Sequence, residues 1–98
     1  MEINKKQEGK DLLLSVSGRL DTTTAPELEE TIKESIDGIE SLTIDLTDLE
    51  YISSAGLRVL LAAQKIMNKQ GDMKVTGVGD VVMEIFEVTG FSDILTIE

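Results

Sequence analysis

The feature that most restricts the fold of this chain is the alternation of two hydrophobic periodicities along it. Apolar residues recur at every second position in DLLLSVSG (11–18) and SLTIDLTDL (41–49), as expected for strands with one buried face. Between these segments, Leu28, Ile32 and Ile36 recur at every fourth position, which is the spacing of one face of a helix. Because strands that alternate with helices need crossover connections, the pattern predicts an α/β fold.

The remaining segments complete the order β-β-α-β-α-β-α-β in a single domain, residues 1–98. Three further strands are predicted in short segments bounded by turn residues: EINKKQ (2–7), MKVTGV (73–78) and the end of FSDILTIE (91–98). Three helices are predicted from apolar spacing and from residues that begin and end helices: Thr24 to Gly38, Ala55 to Asn68 and Asp80 to Gly90. Thr24 and Glu27 have the spacing of a capping box, and Asp80 is a possible helix cap. The order predicts a small, mixed, mostly parallel sheet with an antiparallel edge hairpin.

Two segments are predicted at the sheet edge where binding sites of open parallel sheets form, beyond the carboxyl ends of the strands. They are Arg19–Thr24, after the second strand, and Leu49–Gly56, after the third. The later segment overlaps YISSAGL (51–57), in which Ser53 and Ser54 stand between a strand and a strong helix. One of these serines is predicted to be the helix N-cap, where a hydroxyl accepts a hydrogen bond from a free backbone N–H.

The start of this helix also suits a phosphoserine. A phosphate there meets free N–H groups and the positive end of the helix dipole. Phosphorylation adds about −1.5 to −2 charges, which would change the electrostatic interaction with a docked partner. Ala55 and Gly56 are small and are expected to leave the helix start open to close approach. A cap and a phosphate acceptor are compatible uses of one position, so both interpretations stay open.

Composition argues against several classes of function. The chain has no histidine and no cysteine, which removes Ser–His and Cys–His catalysis, disulfides and most zinc sites. A Ser–Lys pair would need Lys65 or Lys69, which lie too far along the helix from its start. No phosphate-binding loop of the form G-x-x-x-x-G-K-[ST] is present, and the acidic and lysine residues of a receiver domain are missing. No enzymatic activity, cofactor or metal is therefore predicted.

The charge of the chain also restricts its partners. Nineteen acidic residues against nine basic ones give a net charge of −10, which argues against nucleic acid or anionic membranes as partners. No apolar run is long enough to span a membrane, and the N-terminus lacks the hydrophobic stretch of a signal peptide. A cytoplasmic domain that is monomeric when free is expected.

Three segments together resemble the STAS domain and, within it, the bacterial anti-sigma factor antagonists: SGRLDTTTAPEL (17–28), LTIDLTDLEYISSAGLRVLL (42–61) and IFEVTGFSDILTI (85–97). The resemblance implies partner switching, in which the unphosphorylated antagonist binds an anti-sigma factor that is also an ATP-dependent serine kinase. This binding frees the sigma factor. The kinase then phosphorylates one serine of the antagonist, the complex dissociates, and a metal-dependent serine phosphatase restores the antagonist.

The resemblance also implies which serine is modified. In the family motif the phosphorylated residue lies two positions before a glycine, here Gly56, so the implied site is Ser54. The family's preceding aspartate is replaced by Ser53 and its following hydroxyl residue by Ala55, which leaves Ser53 as a second candidate acceptor. Asp21 matches an acidic position that lies close to the site in the family, although a loop or cap aspartate is an equal alternative.

The helix that begins at Ala55 is expected to be the main docking element for the kinase. The residues expected to form this docking surface around Ser54 are Asp21, Thr22, Ser53, Ala55, Gly56 and Arg58. For the basic residues Arg58, Lys65 and Lys69, ordinary solvated surface is the alternative interpretation. A second function also stays open, namely a STAS scaffold or adaptor in a signalling or transporter assembly that uses no phosphorylation switch.

Overall fold

The computed structural model describes residues 1–98 as a five-stranded mixed sheet with three α-helices. The strands are β1 (Glu2–Glu8), β2 (Asp11–Leu20), β3 (Ser41–Asp45), β4 (Leu49–Ile52) and β5 (Asp72–Thr76). The helices are α1 (Ala25–Ser35), α2 (Ser54–Gln70) and α3 (Asp80–Thr89), and a short 3-10 turn follows at Phe91–Asp93. The predicted α/β fold, with its mixed sheet and antiparallel first hairpin, is confirmed.

The sheet is organised around β2, its longest strand. β2 pairs antiparallel with β1, parallel with β3 through residues 11–15, and parallel with β4 through its last residues. β5 pairs parallel with the other side of β3. Because Leu20 is in register with Ile52, the carboxyl ends of β2 and β4 finish side by side. The residues that follow these two strands, Asp21 and Ser53, therefore lie at the same edge of the sheet.

The helices pack on the face of the sheet that the sequence alternation predicts to be buried. The buried residues of β2 and β3 are Leu12, Leu14, Val16, Leu20, Leu42 and Ile44. From the helices, Leu28, Leu60 and Phe86 are fully enclosed in the same core. Burying one such side chain is typically worth about 1.5–3 kcal/mol relative to leaving it exposed, so the core fixes α2 firmly against the sheet.

Three strands differ from the prediction. β3 ends at Asp45, short of the end at Leu49 that the alternation predicts. Residues 49–52 are predicted as part of a loop, but they form β4, because after the turn at Thr47 and Asp48 the chain resumes an extended path beside the end of β2. The predicted last strand is reduced to a single bridge between Ile97 and Val75. Here the Val75 N–H donates to the carbonyl oxygen of Thr96 at 2.8 Å, so the end of the chain covers only one position of the β5 edge.

The helix ends also depart from the predicted caps. Thr24 occupies the N-cap of α1, but its hydroxyl donates to the carbonyl oxygen of Arg19 at 2.8 Å and makes no capping bond, so the predicted capping box is not formed. α1 ends at Ser35, before the predicted end at Gly38. Asp80, predicted as a possible cap, is instead the first residue of α3. α2 is slightly longer at both ends than predicted.

Candidate functional site at the start of helix α2

Backbone hydrogen bonds fix the segment between β4 and α2. Ser53 is the N-cap of α2, with an extended backbone at φ −99° and ψ 176°, and Ser54 is the first helical residue. The Ser53 N–H donates to the carbonyl oxygen of Leu20 at 2.9 Å, which ties the segment to the end of β2. The carbonyl oxygen of Ser53 accepts the N–H of Leu57 at 3.0 Å. The start of α2 is thus held between sheet and helix without either serine hydroxyl.

The two serines differ in the exposure of their hydroxyls. Ser54 is exposed, whereas the hydroxyl oxygen of Ser53 is enclosed and has no hydrogen-bond partner. Ser53 makes no capping bond with its side chain, so the position predicted for a cap is correct but the predicted capping bond is wrong. Of these two hydroxyls, only that of Ser54 is therefore open to another protein in the folded chain.

Gly56 belongs to the packing under the site and not to its surface. It is buried, and a Cβ added there would lie 2.7 Å from Cγ of Leu20 and 2.8 Å from Cγ1 of Ile52. The prediction that Gly56 leaves the helix start open to a partner is wrong, because its missing side chain faces the core. The glycine instead allows the first turn of α2 to approach the ends of β2 and β4 closely.

Asp21 organises the loop that follows β2. Its Oδ1 accepts the Thr23 hydroxyl at 2.7 Å, the Thr23 N–H at 3.0 Å and the Thr24 N–H at 3.3 Å. The hydrogen bond from the Thr23 hydroxyl contributes most to lowering the pKa of Asp21 below its ordinary value of 3.8. The carboxylate of Asp21 is thus engaged by its own loop, as the loop alternative predicted, and the carbonyl oxygen of Leu20 beside it accepts the N–H of Ser53.

Two shallow grooves flank the first turns of α2, and Arg58 lines both. The groove toward α1 is lined by residues that include Thr22, Pro26, Glu29, Ala55, Arg58 and Val59. The groove toward the end of α3 is lined by Ser54, Leu57, Arg58, Thr89 and Phe91. Among the predicted docking residues, Asp21, Ser53 and Gly56 line neither groove.

Sequence reasoning missed the residues that other elements contribute to these grooves. Pro26 and Glu29 come from α1, Thr89 from the end of α3, and Phe91 from the 3-10 turn that follows α3. The sequence around Gly90 indicates a helix end, but nothing in its spacing indicates that this end lies beside the start of α2. These neighbours are set by tertiary packing between distant segments.

Arg58 is the only cationic residue in either groove. It is exposed, its Nε lies 3.4 Å from the carbonyl oxygen of Ser54, and it forms no ion pair. The first turn of α2 carries no acidic residue. An exposed hydroxyl therefore stands beside the positive end of a helix dipole and an unpaired guanidinium, an environment that favours negative charge.

The residues at this site suit recognition by another protein. Ser54 has no histidine to activate it, because the chain contains none. No three His, Cys, Asp or Glu side chains come close enough together to hold a metal ion. None of the helices combines the length and apolar character needed to cross a membrane. The arrangement can present a hydroxyl, with small and polar neighbours, to the active site of a second protein.

Known proteins share this fold and sequence. The family profile of the STAS domain matches residues 2–98. The anti-sigma-B factor antagonist of Listeria monocytogenes is 34% identical over 97 residues, covering 96% of this chain and 84% of that protein. The anti-sigma-B factor antagonist of Bacillus subtilis is 30% identical over 98 residues, covering 99% and 90%. The crystal structure of an anti-sigma factor antagonist from Mycobacterium paratuberculosis superimposes with a TM-score of 0.89 at 28% identity, covering 98% of this chain and 83% of that one. The chain belongs to the STAS domain family.

Proposed function

We propose that this chain is an anti-sigma factor antagonist that acts by partner switching at Ser54. The relatives described above are anti-sigma factor antagonists, which are regulatory binding proteins rather than enzymes. In this proposal the unphosphorylated chain binds an anti-sigma factor that is also an ATP-dependent serine kinase, and so frees a sigma factor. Phosphorylation of Ser54 ends the binding, and a serine phosphatase reverses it. The switch operates in the cytoplasm, on a chain that is monomeric when free and binds neither nucleic acid nor membrane.

The observation that carries this proposal is the difference between the two serine hydroxyls. Ser54 is exposed at the first position of α2, while the hydroxyl oxygen of Ser53 is enclosed. A kinase must bring the acceptor oxygen in line with the γ-phosphate of ATP, which an enclosed hydroxyl does not permit without local opening of the fold. The exposure therefore favours Ser54 over Ser53 as the acceptor.

The chemistry of the switch is a phosphoryl transfer in the kinase active site. A bond forms between Oγ of Ser54 and the γ-phosphorus of ATP, and the bond from that phosphorus to the β–γ bridging oxygen breaks. ADP leaves, and the hydroxyl proton passes to a base on the kinase. The only side-chain hydrogen bond at Ser54 is the one that its carbonyl oxygen accepts from Arg58, so the hydroxyl is free to react. The fold is expected to carry the product unchanged.

The loss of binding follows from the location of the new charge. The docking surface we propose is the exposed part of the two grooves, with Ser54 at its centre and Thr22, Ala55 and Arg58 around it. A phosphate buried in a docked interface with no complementary group on the kinase costs about 2–5 kcal/mol, a loss of affinity of roughly 30- to 5,000-fold. No conformational change in the antagonist is required.

Mass spectrometry after incubation with ATP and the cognate kinase tests the assignment of the site. We expect one phosphate on the wild-type chain and none on Ser54→Ala. Ser53→Ala is the matched control and should still accept one phosphate, because it removes a hydroxyl that makes no hydrogen bond. A phosphate that persists on Ser54→Ala, or no modification by any kinase encoded beside the gene, would contradict the proposal.

A scaffold or adaptor function is the second candidate. It is favoured by the two departures from the family motif, Ser53 in place of an aspartate and Ala55 in place of a hydroxyl residue. In a scaffold the charge at Ser54 would have no role. Ser54→Asp would then leave partner binding unchanged in a pull-down with purified partner, whereas the switch predicts that it weakens binding.

A further inference from the structure

Arg58 lies one helical turn after Ser54 on the same side of α2. Its Nε is 3.4 Å from the carbonyl oxygen of Ser54, and both residues line the groove that also contains Thr89 and Phe91. Side chains four positions apart on a helix are neighbours. The guanidinium of Arg58 is therefore within reach of any group attached to the hydroxyl of Ser54.

Arg58 has no acidic partner in the folded chain. The lysines that form ion pairs are Lys6, Lys10 and Lys33. The one carboxylate that shares a groove with Arg58 belongs to Glu29, and Lys33 lies 3.3 Å from it. The guanidinium of the other arginine, Arg19, stacks over the ring of Tyr51 at 4.5 Å. Arg58 is thus the arginine without a side-chain partner, in a chain with a net charge of −10.

We propose that Arg58 is the intramolecular ligand of the phosphate on Ser54, an inference that rests on the proposed phosphorylation of that serine. An acidic group four positions before a basic one is the favourable order along a helix. The planar guanidinium donates parallel hydrogen bonds to phosphate oxygens, which a lysine ammonium does not reproduce. The phosphate is consequently held by the backbone N–H groups at the start of α2 and by the guanidinium of Arg58.

This pairing makes the switch act in two ways at once. Phosphorylation adds negative charge at the centre of the docking surface, and it also removes an unpaired guanidinium from both flanking grooves. A partner whose acidic group contacts Arg58 would lose that contact when Ser54 is phosphorylated. The pairing thus gives Arg58 a part in specificity as well as in holding the phosphate.

Other charged groups near the site are already engaged. Glu29 pairs with Lys33 on α1, and the carboxylate of Asp21 accepts hydrogen bonds from Thr23 and Thr24. The side chains that α3 and the following turn bring to the groove, Thr89 and Phe91, are uncharged. Arg58 is therefore the side chain whose removal should change the ionisation of a phosphate at position 54.

The test is a ³¹P NMR titration of the full chain carrying genetically encoded phosphoserine at position 54, with no kinase present. We expect the second pKa of the phosphate to lie below its ordinary value of about 6. Arg58→Gln should raise this pKa by roughly 0.2–0.7 unit, the effect expected on losing one exposed ion pair. Arg58→Lys should restore part of the shift. Lys65→Gln, which removes an exposed charge farther along the same helix, should change nothing.

Equal phosphate pKa values in the wild type and Arg58→Gln would overturn the inference, as would an equal shift in Lys65→Gln. Because Arg58 is exposed, its substitutions are expected to leave the fold intact, and circular dichroism of each variant checks this. The titration involves no partner. If it gives the expected shift while the phosphorylated chain binds the kinase as tightly as the unmodified chain, the proposed function fails and the pairing stands.

Discussion

The two ends of helix α2 are held against the rest of the protein in different ways. At the C-terminal end, the side-chain amide of Gln70 donates to the carbonyl oxygens of Ile36 at 2.7 Å and Ile39 at 2.6 Å. Gly71, the C-cap, lies directly against the backbone of Glu40. A side chain and the backbone thus both join this end to the segment between α1 and β3.

At the N-terminal end, the attachment uses only backbone and packing. The Ser53 N–H bonds to Leu20, and Gly56 packs against Leu20 and Ile52. The hydroxyl of Ser54 and the guanidinium of Arg58 have no role in this attachment. Helix α2 is therefore anchored by the side chain of Gln70 at its C-terminal end, whereas the exposed side chains of Ser54 and Arg58 at its N-terminal end contact no other element through hydrogen bonds or ion pairs.

The largest effect on stability is expected from Gly71→Ala. A Cβ at this position would overlap the carbonyl group of Glu40, and backbone atoms cannot move aside as a flexible side chain can. We expect a loss of roughly 1–3 kcal/mol in the free energy of unfolding, measured by urea denaturation. Gly79→Ala is the control, since a Cβ there meets nothing within 4 Å. A Gly71→Ala variant as stable as the wild type would show that close contact with Glu40 does not anchor the C-terminal end of α2.

Gln70→Ala is expected to lower the free energy of unfolding by about 1–2 kcal/mol. This substitution leaves the carbonyl oxygen of Ile39 without its donor and removes one of two donors from that of Ile36. Urea denaturation again gives the free energy of unfolding. Lys69→Ala, at the neighbouring exposed position, should cost little. If the two variants are equally stable, the amide of Gln70 does not anchor the helix.

A smaller loss, about 1 kcal/mol, is expected from Gly56→Ala. The added methyl would crowd the side chains of Leu20 and Ile52, but these can shift, and alanine favours the helix over glycine by about 1 kcal/mol. The measurement is the same denaturation experiment. A cost as large as that of Gly71→Ala would show that both ends are equally rigid, contrary to the comparison.

The smallest effect on the free energy of unfolding is expected from protonation of Asp21 at low pH. Its pKa in the fold lies below the ordinary value of 3.8, chiefly because of the hydrogen bond from the Thr23 hydroxyl. Its stabilising contribution is therefore fully present above that ordinary value and is lost as the pH falls through the lower folded pKa. Relative to Asp21→Ala, the wild type should lose a small part of its stability advantage on acidification. If the free energies of unfolding of the two proteins change with pH in parallel, ionised Asp21 does not stabilise this loop.

Most of the fold could be predicted because the spacing of apolar residues along the chain indicates which segments form strands and which form helices. The alternation in β2 and β3 and the spacing in α1 and α2 report which face of each element is buried. β4 was not predictable in the same way, because its short segment is extended only through pairing with the end of β2. The bridge at Ile97 likewise depends on the exposed edge of β5, which the sequence near Ile97 does not reveal.

The position of Ser54 at a helix start was predictable, but the orientation of the residues around it was not. The strand-to-helix boundary and the family motif both lead to Ser54 at a helix start, where the structure places it. The enclosure of the Ser53 hydroxyl and the inward-facing side of Gly56 depend on residues far away in sequence, among them Leu20 on β2. The same holds for Phe91, which reaches the groove beside Ser54 only through the packing of α3.

The most direct test of the proposed switch is the affinity of the chain for the anti-sigma factor kinase that we propose as its partner, measured by isothermal titration calorimetry before and after phosphorylation at Ser54. We expect the dissociation constant to rise by at least about 30-fold on phosphorylation. Equal dissociation constants for the two forms would contradict the proposed switch.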